Sequence, residues 1–187
     1  MNMNMKKVIA ALLALVLMST GCAMAAAQFE PAKPELPADY LQSDEYTNAE
    51  KCFLYFTADM GLSEAAACGI MANIHKESTF NPEAGSSYYG LVQWGGGRKT
   101  NLHSFCKENG FSAATMEGQL NFLEHELNGA YSSVLEYLNS VPNTAQGAFD
   151  AAYHFCYYFE RPSNKVAKSN SRGALAQETY FPEYAAA

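Results

Sequence analysis

The apolar residues of this chain recur mainly at intervals of three and four, the spacing that places side chains on one face of an α-helix. Polar capping residues precede these runs, and Gly or Pro follows several of them. Ala67, Ile70 and Ile74, for example, share one face of a helix that Ser63 would cap. The pattern predicts helices over about residues 48–60, 64–77, 99–108, 116–127, 131–139, 145–161 and 171–180.

The segment from Tyr88 to Trp94 is the candidate for β-structure. Gly85 and Gly95 bracket it, and glycines suit the turns at either end. We therefore expect a mainly α domain that carries a small β-hairpin.

Residues 1–22 have the pattern of a signal peptide. Lys6 and Lys7 supply positive charge, and the apolar run of eleven residues that follows is too short to span a bilayer. Ser19-Thr20-Gly21-Cys22 resembles a lipoprotein processing site at which Cys22 would receive a lipid, although Ser19 stands where Leu is usual. Cleavage after a later Ala-x-Ala sequence is the alternative. Both interpretations predict a protein outside the cytoplasm, either membrane-anchored or secreted.

Residues 23–46 contain Pro31, Pro34 and Pro37 among small and acidic residues, and they show no apolar period. We interpret this segment as a flexible, Pro/Ala-rich tether. Residues 47–187 then have the size of one domain with one core.

The formal charge of the chain is −7, and loss of residues 1–22 with their two lysines would change it to −9. This acidic balance argues against a nucleic-acid partner.

The four histidines are scattered, without the helical pairing of a zinc site, so we expect no metal and no cofactor. The oligomeric state stays open.

Four cysteines remain in the predicted domain: Cys52, Cys68, Cys106 and Cys156. An even number in an exported chain predicts two disulfides, with three connectivities open. The alternative is four buried free thiols, because each cysteine lies on an apolar helix face.

Glu77 is the candidate for chemistry, because it lies three residues after Ile74 and thus on the same apolar face. A carboxylic acid in apolar surroundings keeps its proton more readily, as a general acid in glycoside cleavage must. The alternative places Glu77 at the surface or in a pair with Lys76 or Lys99. After the break at Asn81-Pro82, a loop at 85–97 offers hydroxyl, amide and aromatic groups that suit sugars.

Several separated motifs resemble the phage tail lysozyme family, which is related to the lytic transglycosylases. They are the segments Gly69 to Pro82, Tyr89 to Trp94 with Arg98, Gln119 to Leu127, and Phe159 to Pro162. The resemblance covers about residues 45–183. It implies an α+β lysozyme-like fold whose hairpin lies beside an active-site cleft, and it implies that the substrate is peptidoglycan.

By this resemblance Glu77 would be the catalytic acid of a muramidase that cuts the β-1,4 bond between N-acetylmuramic acid and N-acetylglucosamine. The substrate-binding candidates are Ser78, Tyr88, Tyr89, Gln93, Trp94 and Tyr153; Trp94 is equally compatible with a place in the core. A hydrolase also needs a second carboxylate, for which the candidates are Glu83, Glu126 and Glu160. A lytic transglycosylase that uses the same Glu77 and a non-catalytic, wall-binding lipoprotein remain as alternatives.

Overall fold

A computed structural model describes residues 36–185. Its helices are α1 (Asn48–Leu54), α2 (Glu64–Ser78), α3 (Gly96–Asn109), α4 (Met116–Asn128), α5 (Ser132–Ser140), α6 (Ala145–Phe155), α7 (Lys165–Leu175) and α8 (Phe181–Tyr184). Strands β1 (Tyr88–Tyr89) and β2 (Trp94–Gly95) pair antiparallel. The mainly α fold with a small hairpin is therefore confirmed.

Three helices continue into single π-helical segments, Tyr55–Asp59 after α1, Cys156–Glu160 after α6 and Ala176–Tyr180 after α7. The wider π-helical turn shifts the direction of the side chains that follow it, and such segments are frequent at functional sites. The segment Cys156–Glu160 ends at Arg161, whose left-handed backbone stops the helix before Pro162.

Helices α2 and α6 form the centre of the core, and they run in the same direction. Near their starts, the backbone N–H of Ala65 donates to Asn143 (2.9 Å). Further along, the Asn73 amide donates to the carbonyl of Ala152 (3.1 Å). The parallel arrangement brings the C-terminal end of α2, with Glu77, to the same end of the domain as the end of α6.

The close approach of these helices depends on Gly69, since a Cβ built there would lie 2.6 Å from the Cβ of Ala151. We expect Gly69→Ala to lower the free energy of unfolding by about 1–3 kcal/mol, because the overlap outweighs the higher helix propensity of Ala. Thermal unfolding would measure the change. Gly97→Ala is the matched control, because a Cβ at Gly97 in α3 meets nothing within 4 Å. Equal stabilities of the two variants would contradict this account.

The four cysteines correct one prediction. Cys52, Cys68, Cys106 and Cys156 are all buried and free, so the predicted disulfides are wrong. Each thiol packs as a small apolar group on a helix face, which is the alternative that the sequence left open.

The compact unit begins at Asp39, within the segment interpreted as a tether. The Tyr40 side chain is only 5% exposed, and its hydroxyl donates to Asp59 (2.6 Å). The end of the 23–46 segment therefore packs against the domain.

The predicted signal peptide, Cys22 and residues 23–35 lie outside the described residues. Between residues 36 and 185, no helix has both the length and the apolar character needed to cross a membrane.

Candidate active site

Glu77 lies in the last turn of α2, where a buried helix reaches the surface. Ile70 and Ile74 on its face are fully buried, whereas the Glu77 side chain is 21% exposed. Its Oε1 accepts a hydrogen bond from Arg172 Nη2 at 2.5 Å. The carboxylate is thus held at the edge of the core by an arginine, rather than by the Lys76 or Lys99 of the alternative interpretation.

Arg172 is itself held in place by a buried amide. Its Nη1 donates to Asn73 Oδ1 (2.8 Å), and the Asn73 amide nitrogen donates to the carbonyls of Gly69 and Ala152. Because Asn73 and Glu77 lie four residues apart on one helix face, a single guanidinium contacts both. This chain of hydrogen bonds fixes the carboxylate relative to α6.

The backbone after Glu77 is strained. Thr79 and Phe80 have φ values of 53° and 60°, and Gln93 in the loop has 53°. A non-glycine residue in the left-handed region costs about 1–3 kcal/mol and persists where tertiary contacts impose it. Here the Phe80 ring is buried and its carbonyl accepts from Asn48. Strain of this kind is concentrated at functional sites in proteins.

The loop after α2 is bonded to two helices. Ser78 Oγ donates to the carbonyl of Leu91 (2.9 Å), so this side chain joins the helix end to the loop. The buried Gln119 of α4 accepts from the Leu91 N–H (2.8 Å) and donates to the carbonyl of Pro82 (2.6 Å). Gln93 donates to the carbonyls of Ala84 and Gly90. Both N–H groups of the Gln93 side-chain amide therefore donate to backbone carbonyls of the loop itself.

Two tyrosines of the hairpin differ in exposure. Tyr88 is 64% exposed, and its ring covers Gly95, the residue opposite it in β2. Tyr89 is half-buried and stacks on His103 at 5.8 Å between ring centroids. Tyr88 offers a free aromatic face next to the loop, which is the kind of surface on which a sugar ring stacks.

Trp94 does not offer such a face. Its side chain is 0% exposed and packs against Phe122. The predicted contact of Trp94 with sugar is therefore corrected to the core position that the sequence also allowed. Its indole N–H donates to Glu126 Oε2 (2.7 Å).

The carboxylate of Glu126 accepts hydrogen bonds from this indole and from an arginine. Arg98 Nε and Nη2 donate to its two oxygens at 2.8 and 2.7 Å, which is a bidentate pair. Burial by itself would lower the pKa of Arg98, but the hydrogen bonds and charge of Glu126 outweigh this effect and raise it. Glu126 thus joins the hairpin, α3 and α4, and it has a structural role in this site.

Glu160 ends the π-helical segment Cys156–Glu160 at the same end of the domain as Glu77. The residue keeps some exposure, but its Oε1 is buried and has no hydrogen-bond partner. Burial raises the pKa of Glu160 well above its ordinary value, and the nearby charge of Glu77 raises it further. The positive charges of Arg172 and Arg98 act in the opposite direction. Glu160 therefore has one buried carboxyl oxygen without a donor, and burial raises its pKa.

The other predicted site residues lie in simpler surroundings. Glu83 is exposed, in the turn after Asn81. Tyr153 is half-buried in a row along α6, between the rings of Phe149 and Tyr157. Within residues 36–185, no group of three or more His, Cys, Asp or Glu side chains could hold a metal ion.

Sequence reasoning missed Arg172 and Asn73. Arg172 lies 95 residues beyond Glu77, and no local pattern connects the two. A signal for Asn73 was present, because an amide side chain inside an otherwise apolar helical run needs a buried partner. Its spacing of four from Glu77 would then have indicated that the two share a partner.

A helical domain whose hairpin is joined to the end of a buried helix is a lysozyme-like fold. The family model described as phage tail lysozyme matches residues 47–181. This match covers well over half of the chain, so the chain belongs to the phage tail lysozyme family. A comparison with curated proteins finds no match. Membership of the family indicates a lysozyme-like glycosidase that acts on peptidoglycan, outside the cytoplasm.

Proposed function

We propose that this protein cleaves the β-1,4 bond between N-acetylmuramic acid and N-acetylglucosamine in peptidoglycan, with Glu77 as the general acid. The observation that supports this role most directly is the position of Glu77, at the end of a buried helix and joined to Arg172 and Asn73. A carboxyl that must protonate a glycosidic oxygen has to be held in one orientation. The hydrogen bonds around Arg172 supply that constraint.

The loop beside Glu77 would receive the glycan strand. It is rigid because Ser78 and Gln119 bond its backbone. Tyr88 would stack on a sugar ring, and Tyr89 would line the same surface. Gln93 would contact sugar through its carbonyl oxygen, since its amide nitrogen already donates within the loop.

The surroundings of the three candidate second carboxylates favour transglycosylation as the second candidate reaction. Glu126 is bonded to Arg98 and Trp94, Glu83 is exposed, and burial disfavours the ionised form of Glu160. A hydrolase that follows the usual scheme needs an ionised carboxylate to act as nucleophile or to activate water. A lytic transglycosylase instead uses the 6-hydroxyl of the muramic acid itself, so it needs only the acid.

Mass spectrometry of peptidoglycan digested by the purified protein distinguishes these reactions. We expect muropeptides lighter by one water than hydrolysis products, because Glu126 is bonded to Arg98 and Trp94 and burial disfavours the ionised form of Glu160. Reducing muramic acid ends would instead indicate hydrolysis. Absence of any product from walls that the protein binds would favour the non-catalytic wall-binding alternative.

A further inference from the structure

The turn between the π-helical segment Cys156–Glu160 and α7 carries an arginine in a strained backbone. Arg161 begins this turn with a φ of 52°, and Asn164 ends it with a φ of 58°. Glycine or asparagine usually takes the left-handed position at the end of a helix, so an arginine there lowers stability. The backbone at position 161 thus favours other residues, and the contacts of the side chain show what an arginine provides there.

The guanidinium of Arg161 is held in place without being neutralised. Its Nε donates to the carbonyl of Tyr158 at 2.7 Å, and its Cζ lies 5.6 Å from the centroid of the Tyr131 ring. Arg98 and Arg172 each form an ion pair with a glutamate, whereas no ion pair in the described part of the chain includes Arg161. Its two terminal nitrogens also have no hydrogen-bond partner there. The side chain therefore presents an oriented pair of N–H donors at an exposed position.

A series of contacts connects this turn to the hairpin beside Glu77. Arg98 also lies over the Tyr131 ring, 5.0 Å from its centroid. The same arginine donates to Glu126, which accepts from the Trp94 indole in β2. Arg161 is thus joined to the hairpin through these side chains.

The surface around the turn combines positive charge with exposed apolar groups. Lys165 Nζ lies 5.0 Å from the centroid of the Tyr157 ring, which packs against the ring of Tyr158. Tyr158 is 48% exposed, and Val166 at the start of α7 is 56% exposed. A stem peptide of peptidoglycan carries both carboxylates and alanine methyl groups, whereas the sugar rings that bear it are uncharged. The surface is therefore complementary to the peptide part of the wall.

We propose that Arg161 binds a carboxylate of a peptidoglycan stem peptide while the hairpin holds the glycan strand. The proposal rests on the proposed function, because it adds a peptide contact to the same substrate. A guanidinium binds a carboxylate through two parallel N–H···O bonds, and the terminal nitrogens of Arg161 are available for them. Lys165 adds positive charge beyond the other end of the turn. The protein then favours glycan strands that still carry their peptides.

The test is Arg161→Asn, because asparagine tolerates the left-handed backbone and removes the guanidinium. Co-sedimentation with purified peptidoglycan measures binding, in a Glu77→Gln background that separates binding from digestion. We expect binding about threefold to tenfold weaker at low salt, as for one exposed charge-assisted pair. The difference should shrink at high salt, because salt screens exposed charges. Lysis by the protein that retains Glu77 should fall by a similar factor.

Two treated substrates identify the carboxylate. The first is peptidoglycan whose carboxylates have been converted to amides, and the second is glycan from which an amidase has removed the stem peptides. Each should bind Arg161→Asn and the protein with native Arg161 equally well. A difference that persists on the amidated peptidoglycan would overturn the proposal. So would one that persists on the stripped glycan, because it would assign the carboxylate to the lactyl group of the sugar.

Lys168→Gln is the matched control, because it removes one positive charge from an exposed position of α7 outside the turn. It should bind and lyse intact peptidoglycan like the wild type. An equal loss in Lys168→Gln and Arg161→Asn would show a general effect of charge and overturn the proposal, as would unchanged binding by Arg161→Asn.

Arg161→Gly is a second variant that the left-handed backbone accepts, and it should show the same loss of binding. Melting temperatures close to that of the wild type would show that both variants of Arg161 are folded. Normal binding by a folded Arg161→Gly would contradict the proposal. Failure of the role of Glu77 would appear separately, as lysis by Glu77→Gln, and would leave the dependence of binding on Arg161 in place.

Discussion

Replacing Glu77 by Gln should abolish lysis of peptidoglycan and leave binding to the wall intact. The Gln side chain has the same shape and can still accept the hydrogen bond of Arg172, but it has no proton to give to the glycosidic oxygen. General acid catalysis contributes about 10²–10⁴-fold in rate, so we expect a loss of that size. Clearing of a wall suspension measures lysis, and co-sedimentation with the same walls measures binding.

Glu108→Gln is a suitable control, because Glu108 is an exposed carboxylate near the end of α3. This variant should lyse and bind walls like the wild type. If the native chain and Glu77→Gln bind equally and neither releases fragments, the protein is a wall-binding module. Lysis by Glu77→Gln at the wild-type rate would show that the acid is another residue.

The helices could be predicted because their signals are local. Polar capping residues were expected before the helices, and Thr47, Ser63, Thr115 and Thr144 fill these positions. Each side chain accepts a backbone N–H from the first turn of its helix. A cap acts within three residues of itself, so the local sequence contains the whole interaction. The π-helical continuations after α1, α6 and α7 have no comparable local signal.

The candidate site could be predicted only in part, because its contacts join distant segments. The position of Glu77 on the apolar face of α2 followed from spacing. Its pairing with Arg172 did not, because burial and distance decide which of the twelve lysines and arginines reaches a carboxylate. Trp94 shows the same limit, since an indole suits both a sugar surface and a core. In the folded domain, the hydrogen bond from the indole N–H to Glu126 belongs to the core position of Trp94.

The bonds of Glu126 determine how the hairpin is attached. Its two oxygens accept from the indole N–H of Trp94 in β2 and from the Arg98 guanidinium in α3. Arg98 in turn covers the rings of Tyr131 and Phe159, so the pair lies against the end of α6. One side chain of α4 therefore connects the hairpin, α3 and the segment that ends in Glu160.

Glu126→Ala should lower the free energy of unfolding by about 2–4 kcal/mol, because it leaves a buried indole N–H and a largely buried guanidinium without their acceptor. Chemical denaturation would measure the loss. Glu126→Gln keeps an acceptor for Trp94, so its loss should be smaller and the folded variant should still lyse walls. Normal stability of Glu126→Ala would contradict the structural role assigned to this carboxylate. A stable but inactive Glu126→Gln would instead identify it as the second catalytic group.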